Sequence, residues 1–333
     1  MKALVARQYG PPDLFAIEDR PIPEPGPGRL QVRVRAASLN PADLLMTDGT
    51  IREMVPLDFP YIPGTDFAGT VTKLGPGVDG FAVGEEVFGF GAPPSFANGV
   101  GISAVTSGAM AEYAVFQAGP YLARRPDDVS PEVAAALPST GMTGLAVVEA
   151  GGFEPGEKVL VIGAAGGIGS VVVPLLAGRV EIIATTAGED ESYVRKLGAD
   201  SLIDYLENDV TDETLRRHPG GVDAIINLAL KGEPLIEAAK ALRPGGRLLS
   251  TTPGTPKPTA FGRDDLTVTV VMGTLKIRND TLPTIAARLL DGTLPDPISR
   301  RYGFDDAARA FQDFAGMRHH GKFVVSMAEG TAR

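Results

Sequence analysis

The chain has 333 residues, 44% of them hydrophobic and 22% charged, which suits a globular protein of about two domains. Its formal net charge is −10 and no run of Lys or Arg interrupts it, so nothing in it suits nucleic acid. It contains no cysteine, which excludes disulfides, cysteine nucleophiles and thiolate metal sites.

Met1–Gly10 lacks the apolar core of a signal peptide and reads as a short strand. No apolar run reaches the ~20 residues of a membrane span, so a cytoplasmic protein with no membrane partner is expected. Pro21–Gly28 is a rigid connector into Arg29–Ala37, whose alternation fits a strand. Further strands are expected at Gly69–Leu74, Glu86–Phe90 and Glu112–Phe116, making residues 1–125 a β-rich domain.

From about residue 130 strands and helices alternate. Lys158–Gly163 is a strand, Ser170–Ala177 a helix, Val180–Thr185 a strand and Asp190–Leu197 a helix. Ser201–Asp204 and Asp223–Leu228 are strands, Leu235–Leu242 a helix, and Gly246–Ser250 and Leu266–Val271 the last two strands. This rhythm implies a doubly wound parallel α/β sheet over 126–273. Residues 274–333 offer two helices and two short strands, expected to rejoin residues 1–125 and leave a cleft between the two domains.

The densest information lies in Gly163-Ala-Ala-Gly166-Gly167-Ile-Gly169, between the Lys158 strand and the Ser170 helix. Gly163 suits a sharp turn, Gly166 the close approach of a pyrophosphate, and Gly169 tight packing of helix on strand. Phosphates would sit on free N–H groups at the start of the helix.

Several stretches carry a family likeness: Ala37-Ser-Leu-Asn40-Pro-Ala-Asp43, Ile62-Pro-Gly64-Thr65-Asp66-Phe-Ala-Gly69, Gly108-Ala-Met-Ala-Glu112-Tyr113, Ala136-Leu-Pro138, Gly141-Met-Thr143, the glycine turn, Leu197-Gly-Ala-Asp200, Arg243-Pro-Gly-Gly246 and Gly321-Lys322. In this order the sequence resembles the medium-chain dehydrogenase/reductase superfamily, in its zinc-free quinone oxidoreductase (zeta-crystallin-like) branch. The resemblance implies a GroES-like β-rich catalytic domain, a Rossmann domain and a homodimer. Zinc-dependent relatives carry a cysteine where Asn40 stands and Gly-His-Glu where Gly64-Thr65-Asp66 stands. With His218, His319 and His320 remote in sequence, no metal is expected.

Without a metal, reduction of a quinone or an activated C=C is the less demanding hydride chemistry. Asn40 is the first catalytic candidate, as an amide donor beside nicotinamide or substrate carbonyl, with a turn before Pro41 as its plainer role. Thr143, and with it Thr140, is implied by the resemblance to approach the nicotinamide. Tyr61 is a candidate acid, or a packing residue between two prolines. Asp43 orients Asn40 or caps the following helix; Asp66 reads as structural. The cofactor set is completed by Gly163, Ala165, Gly166, Gly167, Ile168, Gly169, Thr185, Thr186 and Leu228. On the acceptor side Leu45 replaces a tyrosine frequent in quinone-binding members, which favours an enone reductase as the alternative. The glycine-rich stretch Phe88–Ser103 reads as a binding loop, with Phe90 and Phe96 toward an apolar acceptor and Phe88 toward the core.

Ala184-Thr-Thr-Ala-Gly188 carries no carboxylate at the end of the second Rossmann strand, where NAD-selective sites place one. That points to NADPH, although Asp190 stands where the resemblance places a phosphate-binding lysine; NADH is the alternative. A catalytically silent NAD(P)H-binding protein is the rival from another class.

Overall fold

In a computed structural model the described residues are 1–91, 108–271 and 278–327. They fall into two compact units: Met1–Ser139 with 278–291 and 296–327, and residues 140–271 with Gly292–Pro295.

In the first unit β1 (Lys2–Val5) and β2 (Ala16–Asp19) form an antiparallel ribbon. A seven-stranded sheet is built from β3 (Arg29–Ser38), β4 (Asp66–Leu74), β5 (Glu86–Phe90), β6 (Tyr113–Gln117) and β7 (Leu122–Arg124), joined by two late strands, β14 (Ile298–Gly303) and β15 (Lys322–Ser326). The order is β14-β15-β3-β4-β5-β7, with β6 also on β3. β15 runs antiparallel to β3 with Val325 opposite Ala37, so a strand from late in the sequence completes a sheet begun early in it. Phe67 stacks on Phe116 in a core that also takes Phe304, Phe311, Phe314 and Phe323 from the C-terminal stretch. That shared core is the physical reason the tail returns: without it these rings would face water.

The second unit holds β8 (Lys158–Ile162), β9 (Glu181–Thr186), β10 (Ser201–Asp204), β11 (Val222–Asn227), β12 (Leu242–Ser250) and β13 (Thr267–Val270), all parallel, in the order β10-β9-β8-β11-β12-β13. This is the Rossmann order, with its switch between β8 and β11. β8 reads Val-Leu-Val-Ile after Lys158 and is buried from Val159 to Ile162, as a central parallel strand must be. The six strands expected from the sequence are these six.

Several boundaries move, two of them for a reason the packing shows. The helix expected over Leu235–Leu242 spans Glu233–Ala239, because Leu242 pairs with Val222 and begins β12 early. The division expected at 125/126 falls at 139/140. The helix Pro131–Ala136 buries Ala134, Ala135 and Ala136 against β3, β4 and β15, and Ser326 Oγ donates to Glu132 at 3.1 Å. Its alanine face is small enough to lie close on that sheet.

Candidate active site

The nucleotide half begins at the end of β8. Gly163 has φ +85°, a left-handed turn that a side chain would strain. A Cβ on Gly169 would lie 2.1 Å from the carbonyl oxygen of Ala164, so the helix Gly169–Leu176 approaches the turn as only glycine permits. A Cβ on Gly166 would meet nothing nearer than Gly163 O at 3.4 Å, which leaves open space beside the backbone. Ala165, Gly167 and Ile168 line the same turn as half-buried residues. Leu228, just past β11, donates its N–H to Ile162 O at 2.9 Å and its side chain packs near Gly163. An open cradle at Gly166, a tight base at Gly169 and a helix start beyond them fit a dinucleotide pyrophosphate.

Thr185 and Thr186 do not stand open as phosphate donors. Thr185 Oγ1 accepts from Gly163 N at 3.1 Å, and Thr186 Oγ1 donates to Ala187 O at 2.9 Å; both are buried. Thr185 is thus a brace for the glycine turn. A further brace was not read from the sequence. Asn227 is fully buried at the end of β11, donates to Leu230 O, Ser250 Oγ and Thr252 Oγ1, and accepts from Leu230 N at 2.9 Å. It fixes the loop that follows Leu228.

In the first unit the ends of β3, β4 and β15 converge on a buried polar cluster. Lys322 Nζ donates to Leu39 O at 2.8 Å, to Asn40 Oδ1 at 2.5 Å and to Asp66 Oδ2 at 3.4 Å. Asn40 Nδ2 donates to Thr65 Oγ1 at 3.2 Å and Asp66 Oδ2 at 3.0 Å. Asp66 Oδ2 also accepts from Ser38 Oγ, and its Oδ1 accepts from Ser139 N at 3.1 Å and Ser139 Oγ at 2.6 Å. The free amide expected of Asn40 is therefore spent inside the protein, with both protons and the oxygen engaged. The reason is the lysine, whose ammonium arrives from the far end of the chain.

Asp43 sits on α1 (Pro41–Thr47), whose first residue is proline as helix starts favour. Its Oδ2 accepts from Asn40 N at 2.9 Å, so it orients Asn40 and caps the helix at once. The side chain is fully buried, and Oδ1 has no hydrogen-bond partner among the described residues, so it is no open substrate contact. Burial, followed by the charge of Asp66, pushes the carboxyl up to about 7, against backbone donors at Asn40 and Gly64 and the Lys322 charge. Burial likewise lowers the Lys322 ammonium, while Asp66 and Asp43 oppose the shift.

Tyr61 bridges to Ala6 through paired backbone hydrogen bonds of 2.8 Å, and its ring packs with the cluster of Met46, Val55 and Leu57. Burial, then the charge of Asp43, raises its phenol above the ordinary range, so it stays protonated. Thr140 and Thr143 are buried on the helix Pro138–Gly151, which Ser139 helps to start. Leu45 and Phe90 are half-buried, and Phe88 is wholly within the core. Phe96 and the rest of 92–107 lie outside the described residues.

These residues do not fit zinc. Asn40 Oδ1 and Asp66 Oδ2 already hold an ammonium, Thr65 Oγ1 accepts from Asn40, and the chain has no thiolate to offer. Among the described residues no three His, Asp or Glu side chains gather to hold an ion.

A GroES-like unit together with a Rossmann sheet carrying a glycine-rich turn defines a two-part oxidoreductase. Residues 26–127 match the alcohol dehydrogenase GroES-like domain and residues 197–325 the zinc-binding dehydrogenase domain. The chain is 32% identical over 249 residues to a chloroplastic quinone-oxidoreductase homologue of Spinacia oleracea, covering 72% of this chain and 70% of that one. It is 30% identical over 262 residues to a 2-methylene-furan-3-one reductase of Solanum lycopersicum, covering 76% of this chain and 62% of that one. A mycobacterial protein solved in complex with NADPH superposes with a TM-score of 0.82 at 25% identity, covering 98% of this chain and 100% of that one. The chain belongs to the medium-chain dehydrogenase/reductase superfamily, in its quinone oxidoreductase branch.

Proposed function

We propose that the protein is a zinc-independent, NAD(P)H-dependent reductase of quinones or α,β-unsaturated carbonyls. The observation that carries this is the glycine turn: a left-handed Gly163, an open Gly166 and a Gly169 that admits no side chain. In this reading Gly163, Ala165–Gly169 and Leu228 hold the dinucleotide, and Thr140 and Thr143 approach the nicotinamide. When bound, the nicotinamide supplies a hydride to an electrophilic carbon. The chain's own task is to hold the acceptor, exclude water and supply a proton to the oxygen or carbon left electron-rich. Tyr61, whose phenol is protonated at neutral pH, is the proposed donor.

Leu45 and the furanone reductase likeness support an enone acceptor as the second reading. NADPH is taken first, on the lack of a carboxylate in Ala184–Gly188 and on the NADPH-bound neighbour. A carboxylate does reach this turn from the next strand: Asp204 Oδ2 would lie 3.1 Å from a Gly188 Cβ, which argues for NADH. A cytoplasmic homodimer paired through the edge strand β13 completes the proposal.

The test follows nicotinamide absorbance with NADPH and then NADH, offering a naphthoquinone and a cyclic enone in parallel, with chelator present. Chelator-insensitive oxidation of either cofactor supports the reading. Tight cofactor binding without turnover would leave the silent binding protein in its place.

A further inference from the structure

We propose that Lys322 is a positioning residue of the reductase site, its ammonium acting as a fixed cation that sets the Asn40 amide and the Asp66 carboxylate. The inference rests on the reductase reading above.

An ammonium has three protons, and here each faces an oxygen: Leu39 O, Asn40 Oδ1 and Asp66 Oδ2. Lys322 is 2% exposed, so its charge is tolerable only because these partners surround it. The cation also decides which way Asn40 points. A flipped amide would turn its NH₂ toward Lys322 and its oxygen toward Asp66, both repulsive. Asp66 carries the order onward, because its second oxygen receives Ser139 N and Oγ at the start of the helix Pro138–Gly151. Thr140 and Thr143 follow on that same helix. One cation thus holds in order the residue at the end of β3 and, through Asp66, Ser139 near the start of the helix Pro138–Gly151.

The charge balance has a second consequence. Lys322 neutralises one carboxylate, Asp66, and leaves Asp43 with an unpartnered oxygen. The titratable groups acting on Asp43 are Asp66 from β4, Lys322 from β15 and the phenol of Tyr61. Removing the lysine charge pushes the Asp43 titration upward from about 7.

The experiment compares wild type with Lys322→Met, Lys322→Arg and the charge-neutral double variant Lys322→Met/Asp66→Asn. It reads kcat, acceptor KM, cofactor Kd and thermal unfolding against pH. In Lys322→Met kcat is expected to fall about 100-fold, the scale of an ångström of misplacement. Cofactor Kd stays near the wild-type value, and Lys322→Arg recovers part of kcat. The double variant, in which neither Lys322 nor Asp66 leaves an unpaired charge, unfolds like wild type at pH values below the Asp43 titration yet stays slow. Recovery of kcat in the double variant, or unchanged kcat in Lys322→Met, overturns the inference, since the lysine would then serve folding alone. If Lys322→Met does not fold, the double variant carries the comparison. If wild type itself turns over neither acceptor, the reductase reading is what fails. The lysine inference, which rests on that reading, falls with it; wild-type turnover with unchanged kcat in Lys322→Met overturns the lysine inference alone.

Discussion

Replacing Gly166 and Gly169 separately by alanine separates what the turn does for the ligand from what it does for the fold. At Gly169 the new methyl would stand 2.1 Å from Ala164 O and 2.6 Å from Ala164 C. That is about 1.2 Å inside the ~3.3 Å at which carbon and oxygen ordinarily meet. Both clashing atoms are backbone, so no rotamer relieves them and the helix Gly169–Leu176 must move off β8. Overpacking of this kind costs about 3 kcal/mol, and about 10 °C in the unfolding of a unit this size. At Gly166 the methyl meets only Gly163 O at 3.4 Å, an ordinary contact, so stability changes by less than about 1 kcal/mol. The methyl would enter the space proposed for the pyrophosphate, and affinity should fall about 10- to 100-fold. Calorimetry paired with nicotinamide fluorescence titration reads both quantities. Gly166→Ala binding cofactor as wild type does, or Gly169→Ala unfolding as wild type does, would refute the reasoning.

Asp43 makes stability fall with rising pH: its carboxyl is raised from 3.8 to about 7 by folding, so its contribution is full below 3.8 and lost as the pH climbs through about 7. The loss is about 4 kcal/mol, and Asp43→Asn should flatten the dependence in urea unfolding between pH 5 and 8. Arg247 grips Glu157 with bonds of 3.0 and 2.6 Å and lies over the Phe153 ring, so Arg247→Ala should cost about 1–3 kcal/mol. Because Arg247 holds the Glu157 carboxyl below 4.5, that support is present above 4.5 and disappears as pH falls through the lowered value; acid titration of unfolding in the variant tests this. Asn227→Ala should cost about 2–3 kcal/mol and weaken cofactor binding by loosening the loop after Leu228, measured by melting and fluorescence. Val270, 45% exposed on the edge strand β13, should hold the dimer: Val270→Asp shifts sedimentation toward monomer, and a monomeric wild type would sink the dimer proposal.

The Rossmann unit was legible because its constraints are local. Each strand is a short apolar run with its own turn, and the glycine spacing states the backbone geometry without reference to distant residues. Even the return of the tail could be read, since two helices and two short strands after the sixth Rossmann strand have no sheet of their own to join. Residues 126–139 are expected in the Rossmann unit because a change of rhythm marks where strand–helix alternation begins, whereas membership depends on what the alanine face of Pro131–Ala136 packs against. Thr185 looked like a phosphate donor from its place at a strand end, and only the fold shows it turned back to Gly163.

The sequence by itself determined the two-part architecture, the nucleotide turn and the replacement of metal-ligand residue types by Asn40 and Thr65. Tertiary structure decided what Asn40 does. Its partners Thr65, Asp66 and Lys322 lie 25, 26 and 282 residues away, and the lysine reaches it only because β15 pairs with β3. Backbone conformation is written in neighbouring residues, but a buried charge is balanced by whatever the fold brings to it.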